Sequence, residues 1–242
     1  MKIATHNVFW FQGSPFASDR PGDAAPDILG RLIQVYRRLA PDLLCLQEIQ
    51  GEGVLCDLAD RLKMSGAYSP GGVLTQYGGG ALWQSGRLLS DSQSSADRPQ
   101  RMLQLIEVSA GADVLLVANL HLPSSRHLGP EAAAERRLEE TAQALGAGVR
   151  PDVVLGDFNE QPGSPLGQLL GARGYRDAAC ISGRTDVVTT PRGRRNDQIW
   201  LDKPYWHQLV AYGVAPERDM RSDVPGKDYL SDHFPVWVEL AT

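Results

Sequence analysis

One arrangement recurs along the sequence: an apolar run closes on a side chain that could do chemistry. "IATHN" ends on Asn7, "LLCLQE" on Glu48, "LLVANLH" on His121 and "VVLGDFN" on Asp157 and Asn159. In "RRNDQIW" a basic loop becomes a strand at Asp197, and "YLSDH" sets Asp232 and His233 just before the last strand. Each residue alone has an ordinary use. Asn7 suits a strand-end hydrogen bond, Glu48 a strand reaching water, and Ser-Asp or Asp157 with Asn159 a turn; a lone His121 suits a core or rim. Together they form a donor set for metal-assisted phosphoryl chemistry. Magnesium takes oxygen ligands and keeps several waters, so one or two carboxylates hold it. An attacking water needs a carboxylate to orient it and accept its proton. The transition state needs donors at its oxygens. Asn and His supply these, and pairing with Asp favours the charged imidazole.

The elements that must position these groups read mainly as strands. Apolar or alternating runs span 2–9, 43–49, 80–85, 101–108, 113–122, 152–158, 197–202, 209–214 and 235–240. Two helices stand out. Leu29, Leu32, Ile33, Tyr36 and Leu39 repeat at helical spacing over 26–39, with Asp27 at the start and Pro41 past the end. Pro130 opens a second over 130–145, closed by Gly146. The segments 12–26, 65–80, 86–100, 160–174 and 182–196 read as loops. No composition shift marks a linker, so the expectation is one domain over 1–242: two packed sheets with helices outside.

Composition narrows the classes. The chain has 242 residues, 42% of them hydrophobic and 22% charged, enough for a large core and too apolar for general disorder. A net charge of −5 excludes a strongly basic nucleic-acid footprint, although "RGRRNDQ" at 192–198 is a local basic patch. Cys45, Cys56 and Cys180 show no metal-ligand spacing and read as reduced thiols of a cytoplasmic protein. No apolar leader is visible, and no run approaches the ~18 residues of a membrane span, so no stable membrane association is expected. Trp10, Phe11, Phe16 and Trp206 suit either a core or an aromatic wall for a base or lipid.

The ordered set "HN" (6–7), "LQE" (46–48), "NLHL" (119–122), "GDFN" (156–159), "NDQIW" (196–200) and "SDH" (231–233) resembles the endonuclease/exonuclease/phosphatase superfamily. The resemblance implies an α/β four-layer sandwich, two mixed sheets face to face with helices outside, and a site at one end. It implies a Mg2+ cofactor, with Mn2+ as an alternative, held principally by Glu48 with Asn7 and Asp232 beside or within its shell. By the same likeness Asp157 orients and deprotonates water, and Asn159 holds that water or a phosphate oxygen. His121 and His233 donate to phosphate oxygens, and Asp197 keeps His233 charged. The implied reaction is in-line hydrolysis of a phosphoester.

Three departures bear on the branch. Gln198 replaces the usual aromatic after Asp197, which puts the neighbouring strand's packing in question. "HNVFWFQG" lacks the acidic residue that follows the asparagine in abasic-site endonucleases, and His121 stands where that branch has Tyr. The run "HLPSSRHLGPEAAAERR" is similar to the 5′-tyrosyl-DNA phosphodiesterase branch. On that likeness Ser124 and Arg126 bind phosphate; otherwise they form a polar helix entry. The leading substrate is a nucleic-acid end, DNA or RNA, or a nucleotide-like phosphodiester. The alternatives are a lipid or sugar phosphate with the same chemistry, and a binding protein on an inactive fold. Glu160 is expected on the rim, and Gly156 is expected to give room for close approach to the site.

Overall fold

The computed structural model describes every residue except 16–19, 94–97, 112, 147, 149 and 242, so Phe16 lies outside the described residues. Two six-stranded mixed sheets face each other. The first runs β11 (Leu209–Val214), β12 (Val236–Leu240), β1 (Lys2–Asn7), β2 (Leu43–Gln47), β4 (Gly79–Trp83), β3 (Ser65–Ser69). The second runs β5 (Gly86–Asp91), β6 (Met102–Ala110), β7 (Asp113–His121), β8 (Val153–Asp157), β10 (Asp197–Asp202), β9 (Tyr175–Asp177). Each sheet has one parallel pair at its centre, β1 with β2 and β7 with β8, and antiparallel neighbours elsewhere.

That topology fixes where the polar residues go. The C-terminal ends of the parallel strands β1, β2, β7 and β8 lie at one end of the sandwich. The antiparallel strands β6, β10 and β12 begin at the same end, so the residues just before them arrive there too. Register makes this explicit: Asp197 pairs with Asp157, and Met102 with His121.

Alternating residues of the central strands face two different cores, so these strands are apolar on both sides. Ile3, Leu43, Cys45, Val117, Val153, Leu155 and Ile199 pack between the sheets. Ala4, Leu44 and Leu46 face outward against α1 (Pro26–Leu39) and α2 (Glu52–Leu62). Ala118, Leu120, Val154 and Trp200 face α5 (Pro165–Ala172) and Leu138 of α4 (Pro130–Ala144). The result is the expected four-layer α/β sandwich. Helix α1 starts on Pro26 with Asp27 in its first turn and stops at Ala40, which takes a left-handed φ of 48° before Pro41. Among the described residues, no helix is long and apolar enough to cross a membrane.

Just below the functional end, a buried polar chain crosses the gap between sheets. Gln47 Nε2 donates to Thr5 Oγ1 (3.0 Å) and to Asn119 Oδ1 (2.7 Å), Asn119 Nδ2 to Gln104 Oε1 (2.9 Å), and Gln104 Nε2 to Ser69 Oγ (2.9 Å). Partners at such positions allow one alignment of the two sheets, because any slip leaves buried amides unpaired.

Several elements differ from the sequence expectation. Residues 65–69 and 86–91, read as loops, are the edge strands β3 and β5, and 165–172, also read as loop, is α5. The edge strands are short, polar and rich in Gly and Ser, so they lack the apolar alternation of covered strands. Helix α5 carries two glycines but is capped by Ser164, whose Oγ accepts from the Gly167 amide, and started by Pro165. Gly156 also has a different purpose. Its φ is +133°, and a Cβ there would lie 1.9 Å from the Leu120 carbonyl oxygen. It makes room for strand β7, not for a ligand.

Candidate active site

The converging ends enclose a cleft of ≈ 270 Å3 whose wall includes Asn7, Glu48, Arg101, Asp157, Asp232 and His233. Asp157, at the end of β8, is held from three sides. Its Oδ1 accepts from the Asn159 amide (2.9 Å), and its Oδ2 accepts from Asn7 Nδ2 (3.1 Å) and Asn159 Nδ2 (3.2 Å). The Asx turn is therefore present, and it is part of the site. Asn159, at φ 50°, also donates to the Leu122 carbonyl (3.1 Å), so its amide serves first as the strut of Asp157. Glu160 is more than a rim residue: Arg137 Nε of α4 binds it at 2.7 Å while Nη1 reaches the Pro123 carbonyl at 2.9 Å. One arginine thus fastens the loops after β7 and β8 to each other.

Opposite Asp157, His233 Nδ1 and Asp197 Oδ2 lie 2.8 Å apart, and Thr189 Oγ1 donates to the same Asp197 oxygen at 2.7 Å. Burial alone disfavours charge on His233. The carboxylates of Asp197 and Asp157 outweigh it and hold the histidine pKa well above its ordinary value. The charged form of His233 is therefore favoured, and its Nε2 stands 3.9 Å from Asp157 Oδ2. Its backbone is fixed as well. His6 Nε2 donates to the His233 carbonyl (3.1 Å), which leaves His6 Nδ1 to accept from Tyr36 (2.7 Å). Ser231 Oγ donates to the Asn7 carbonyl (2.7 Å). The first and last motifs of the sequence are thereby joined.

Gln198 does not disturb β10. It is buried, donates from Nε2 to the Glu160 carbonyl (2.6 Å), and accepts from Trp200 Nε1 (2.9 Å). These bonds fill the position where packing was in question, and the β8–β10 register continues without a break.

Glu48 follows β2 with a left-handed φ of 59°, an uncommon conformation for this residue that turns its side chain into the cleft. Burial pushes its carboxyl up to about 7 against the pull of Arg101, and the charges of Asp232 and Asp157 add to the rise. Glu48 Oε2 and Asp232 Oδ1 are buried with no hydrogen-bond partner among the described residues. Two hard oxygen donors on the same cleft, both lacking a donor, fit a divalent cation, and Asn7 lies beside them. A second group, Asp157, Asp197 and His233, brings ligand atoms within 4.8 Å of one another. In this group His233 Nδ1 is already engaged with Asp197 Oδ2.

His121 is brought to the site but not to its wall. It is fully buried and absent from the cleft lining, yet its Nε2 lies 3.5 Å from both Glu48 Oε1 and Asp157 Oδ2, which line the cleft together with Arg101. Arg101 Nη1 meets His121 Nε2, and Nη2 donates to Ser124 Oγ (2.8 Å). Burial, then the charges of Arg101 and His233, hold His121 well below the ordinary histidine pKa. Arg126, on the short helix α3 (Ser125–Leu128), lines the cleft and is exposed, as are Arg192 and Arg194 on the loop before β10. Phe9, Trp10 and Tyr77 form an aromatic side of the cleft. Trp10 is set by a tight turn in which Phe9, Trp10 and Phe11 all take positive φ (46°, 49° and 52°). Phe11 belongs instead to the core under α1, and Trp206 lies outside the cleft wall, its Nε1 donating to the Leu201 carbonyl. Sequence reasoning missed Arg101, Tyr77 and Thr189. Tyr77 and Arg101 lie just before β4 and β6 and arrive through antiparallel pairing, whereas Thr189 reaches Asp197 from a loop closed by its amide on the Arg194 carbonyl.

The chain matches the model of the endonuclease/exonuclease/phosphatase family over residues 4–233. The chain belongs to this family. Endonuclease/exonuclease/phosphatase folds of known structure overlay nearly its whole length. An AP endonuclease from Archaeoglobus fulgidus has a TM-score of 0.72 at 19% identity, covering 100% of each chain. A Bacteroides thetaiotaomicron mannosyl-6-phosphatase has a TM-score of 0.71 at 18% identity, again with 100% of each chain covered. D. rerio TDP2 complexed with a single-strand DNA product has a TM-score of 0.71 at 15% identity, covering 100% of this chain and 99% of that one. No curated protein matches by sequence. At these identities the likeness carries the fold, and family membership makes the chain a phosphoester hydrolase.

Proposed function

We propose that this hydrolase is a magnesium-dependent phosphodiesterase that cleaves by in-line attack of water on nucleic-acid ends or a nucleotide-like phosphodiester. The observation that carries the reading is what one cleft brings together: the unpartnered oxygens of Glu48 and Asp232, the carboxylate of Asp157, and His233 paired with Asp197. Asp157, fixed by Asn7 and Asn159, orients the water and takes its proton. His233, kept cationic by Asp197, donates from Nε2 to a non-bridging oxygen as negative charge develops there. Glu48, with Asp232 and Asn7, would hold the magnesium ion, which supplies neutralisation of phosphoryl charge when bound.

The rim favours a polyanion. Arg126, Arg192 and Arg194 line the same cleft as the acidic centre in a chain of net charge −5, a combination suited to phosphates flanking the scissile one. Ser124 supports this rim indirectly, by accepting from Arg101. The three unpaired cysteines accord with a reducing cytoplasm. The test is a panel of 5′-tyrosyl DNA, single-stranded DNA, bis-p-nitrophenyl phosphate, sphingomyelin and mannose 6-phosphate, each with magnesium or EDTA. Magnesium-dependent turnover of the nucleic-acid substrates above the others is expected. A preference for sphingomyelin or the sugar phosphate would move the substrate class, and no turnover of any would leave a binding protein on this fold.

A further inference from the structure

We infer that Arg101, in place of His121, supplies the donor to the phosphoester's non-bridging oxygens on the Glu48 side of the cleft, with His121 acting through it as a positioning residue. This rests on the phosphoesterase reading above. Access is the first reason: the His121 side chain has no exposed surface, whereas Arg101 forms part of the cleft wall. Donor chemistry is the second. A guanidinium has only N–H groups to offer, so His121 Nε2, in contact with Arg101 Nη1, must accept. The imidazole proton then sits on Nδ1, which is buried without a partner among the described residues. The nitrogen of His121 nearest the site thus carries no proton to give a phosphate.

Arg101 is built for the task. Its guanidinium lies over the face of Tyr77, 4.1 Å from the ring centroid, and Ser124 and His121 receive one N–H from each terminal nitrogen. Glu48 Oε1 lies 3.6 Å from Nη1, beyond a good hydrogen bond, so the arginine is not closed off in a bidentate pair. A planar cation held on an aromatic face, beside the carboxylate that carries the metal proposal, presents a fixed donor to a tetrahedral oxyanion. The plain alternative is that Arg101 only balances the charge of Glu48. That role would alter magnesium affinity and weaken phosphate only through the lost charge, which Arg101→Lys restores without the planar donor fork.

The test uses the full chain with bis-p-nitrophenyl phosphate and magnesium, and separately inorganic phosphate with the metal-free protein. Arg101→Ala should lower kcat by about 100-fold or more, the loss typical of a missing oxyanion donor, and added guanidinium should restore part of it saturably. Phosphate binding to the metal-free variant should weaken at least about tenfold. His121→Gln, whose carbonyl can accept from Arg101, should stay within about tenfold in kcat. His121→Leu, which cannot accept, should lose both rate and phosphate affinity. If Arg101→Ala does not fold, Arg101→Gln carries the same expectation. The inference is overturned if His121→Gln loses as much as Arg101→Ala, if Arg101→Lys restores both rate and phosphate affinity, or if the alanine variant changes magnesium affinity alone. A wild-type protein that hydrolyses no phosphodiester would sink the phosphoesterase reading, while the phosphate titration still decides Arg101.

Discussion

Replacing Asp197 by Asn keeps the side chain's shape and removes one charge from a buried pair. In the native site Asp197 Oδ2 accepts from His233 at 2.8 Å and from Thr189 at 2.7 Å. An asparagine whose carbonyl oxygen takes the place of Oδ2 can still accept from both donors, so what is lost is the charge, and its NH2 falls where Asp197 Oδ1 is buried with no partner among the described residues. A hydrogen bond between charged partners contributes about 1.5–3 kcal/mol. If that energy supports the cationic, correctly oriented His233 in the transition state, Asp197→Asn should lower kcat/KM by about 10- to 150-fold. Direction with pH follows from the same pair. Activity that needs protonated His233 falls as pH rises through its pKa, and loss of the Asp197 charge lowers that pKa. The falling limb of the profile therefore moves to lower pH in the variant. The pKa of His233, raised above its unfolded value, also stabilises the fold below about 6.5, an advantage lost as pH rises through the folded pKa. The assay is kcat/KM against pH, with His233 followed by NMR titration and folding by thermal melting. A variant within threefold of wild type, with an unmoved limb, would refute the reasoning.

Two further outcomes are expected. Gly156→Ala would place a methyl 1.9 Å from the Leu120 carbonyl at a φ of +133°, so strands β7 and β8 must separate; a loss of about 3 kcal/mol or more in urea unfolding is expected, and under 0.5 kcal/mol would contradict it. The Glu48 carboxyl, pushed up to about 7, holds a proton that magnesium must displace. Apparent magnesium affinity should therefore rise by up to about tenfold per pH unit below 7 and level off above. The metal-free protein should lose stability as pH rises through about 7, magnesium should restore it, and calorimetry at pH 6 should show proton release that Glu48→Gln abolishes.

Much of the site was legible because the polar side chains of the cleft sit where apolar strands end, and strands announce themselves. Asn7, Glu48, Asp157, Asn159, Asp232 and His233 all line the cleft, and the helix over 26–39 forms with those bounds. What the sequence hid were relations between strands. Arg101 looks like the polar start of a strand until the Met102–His121 register places it beside Glu48. His121 reads alone in the sequence, and the same register brings Arg101 into contact with its Nε2. Gly156 looks like clearance for a ligand, and only the parallel β7–β8 pairing shows that the carbonyl of Leu120 occupies that space.

Magnesium-dependent phosphodiester hydrolysis at the Glu48–Asp157 cleft is tested most directly with bis-p-nitrophenyl phosphate and three proteins: wild type, Glu48→Gln and Asp157→Asn, each titrated with magnesium or held in EDTA. The expected result is turnover only in wild type with magnesium, at least about 1,000-fold above either variant, with Asp157→Asn still binding the ion. Full magnesium-dependent turnover in either variant, or equal wild-type rates in EDTA, would contradict it.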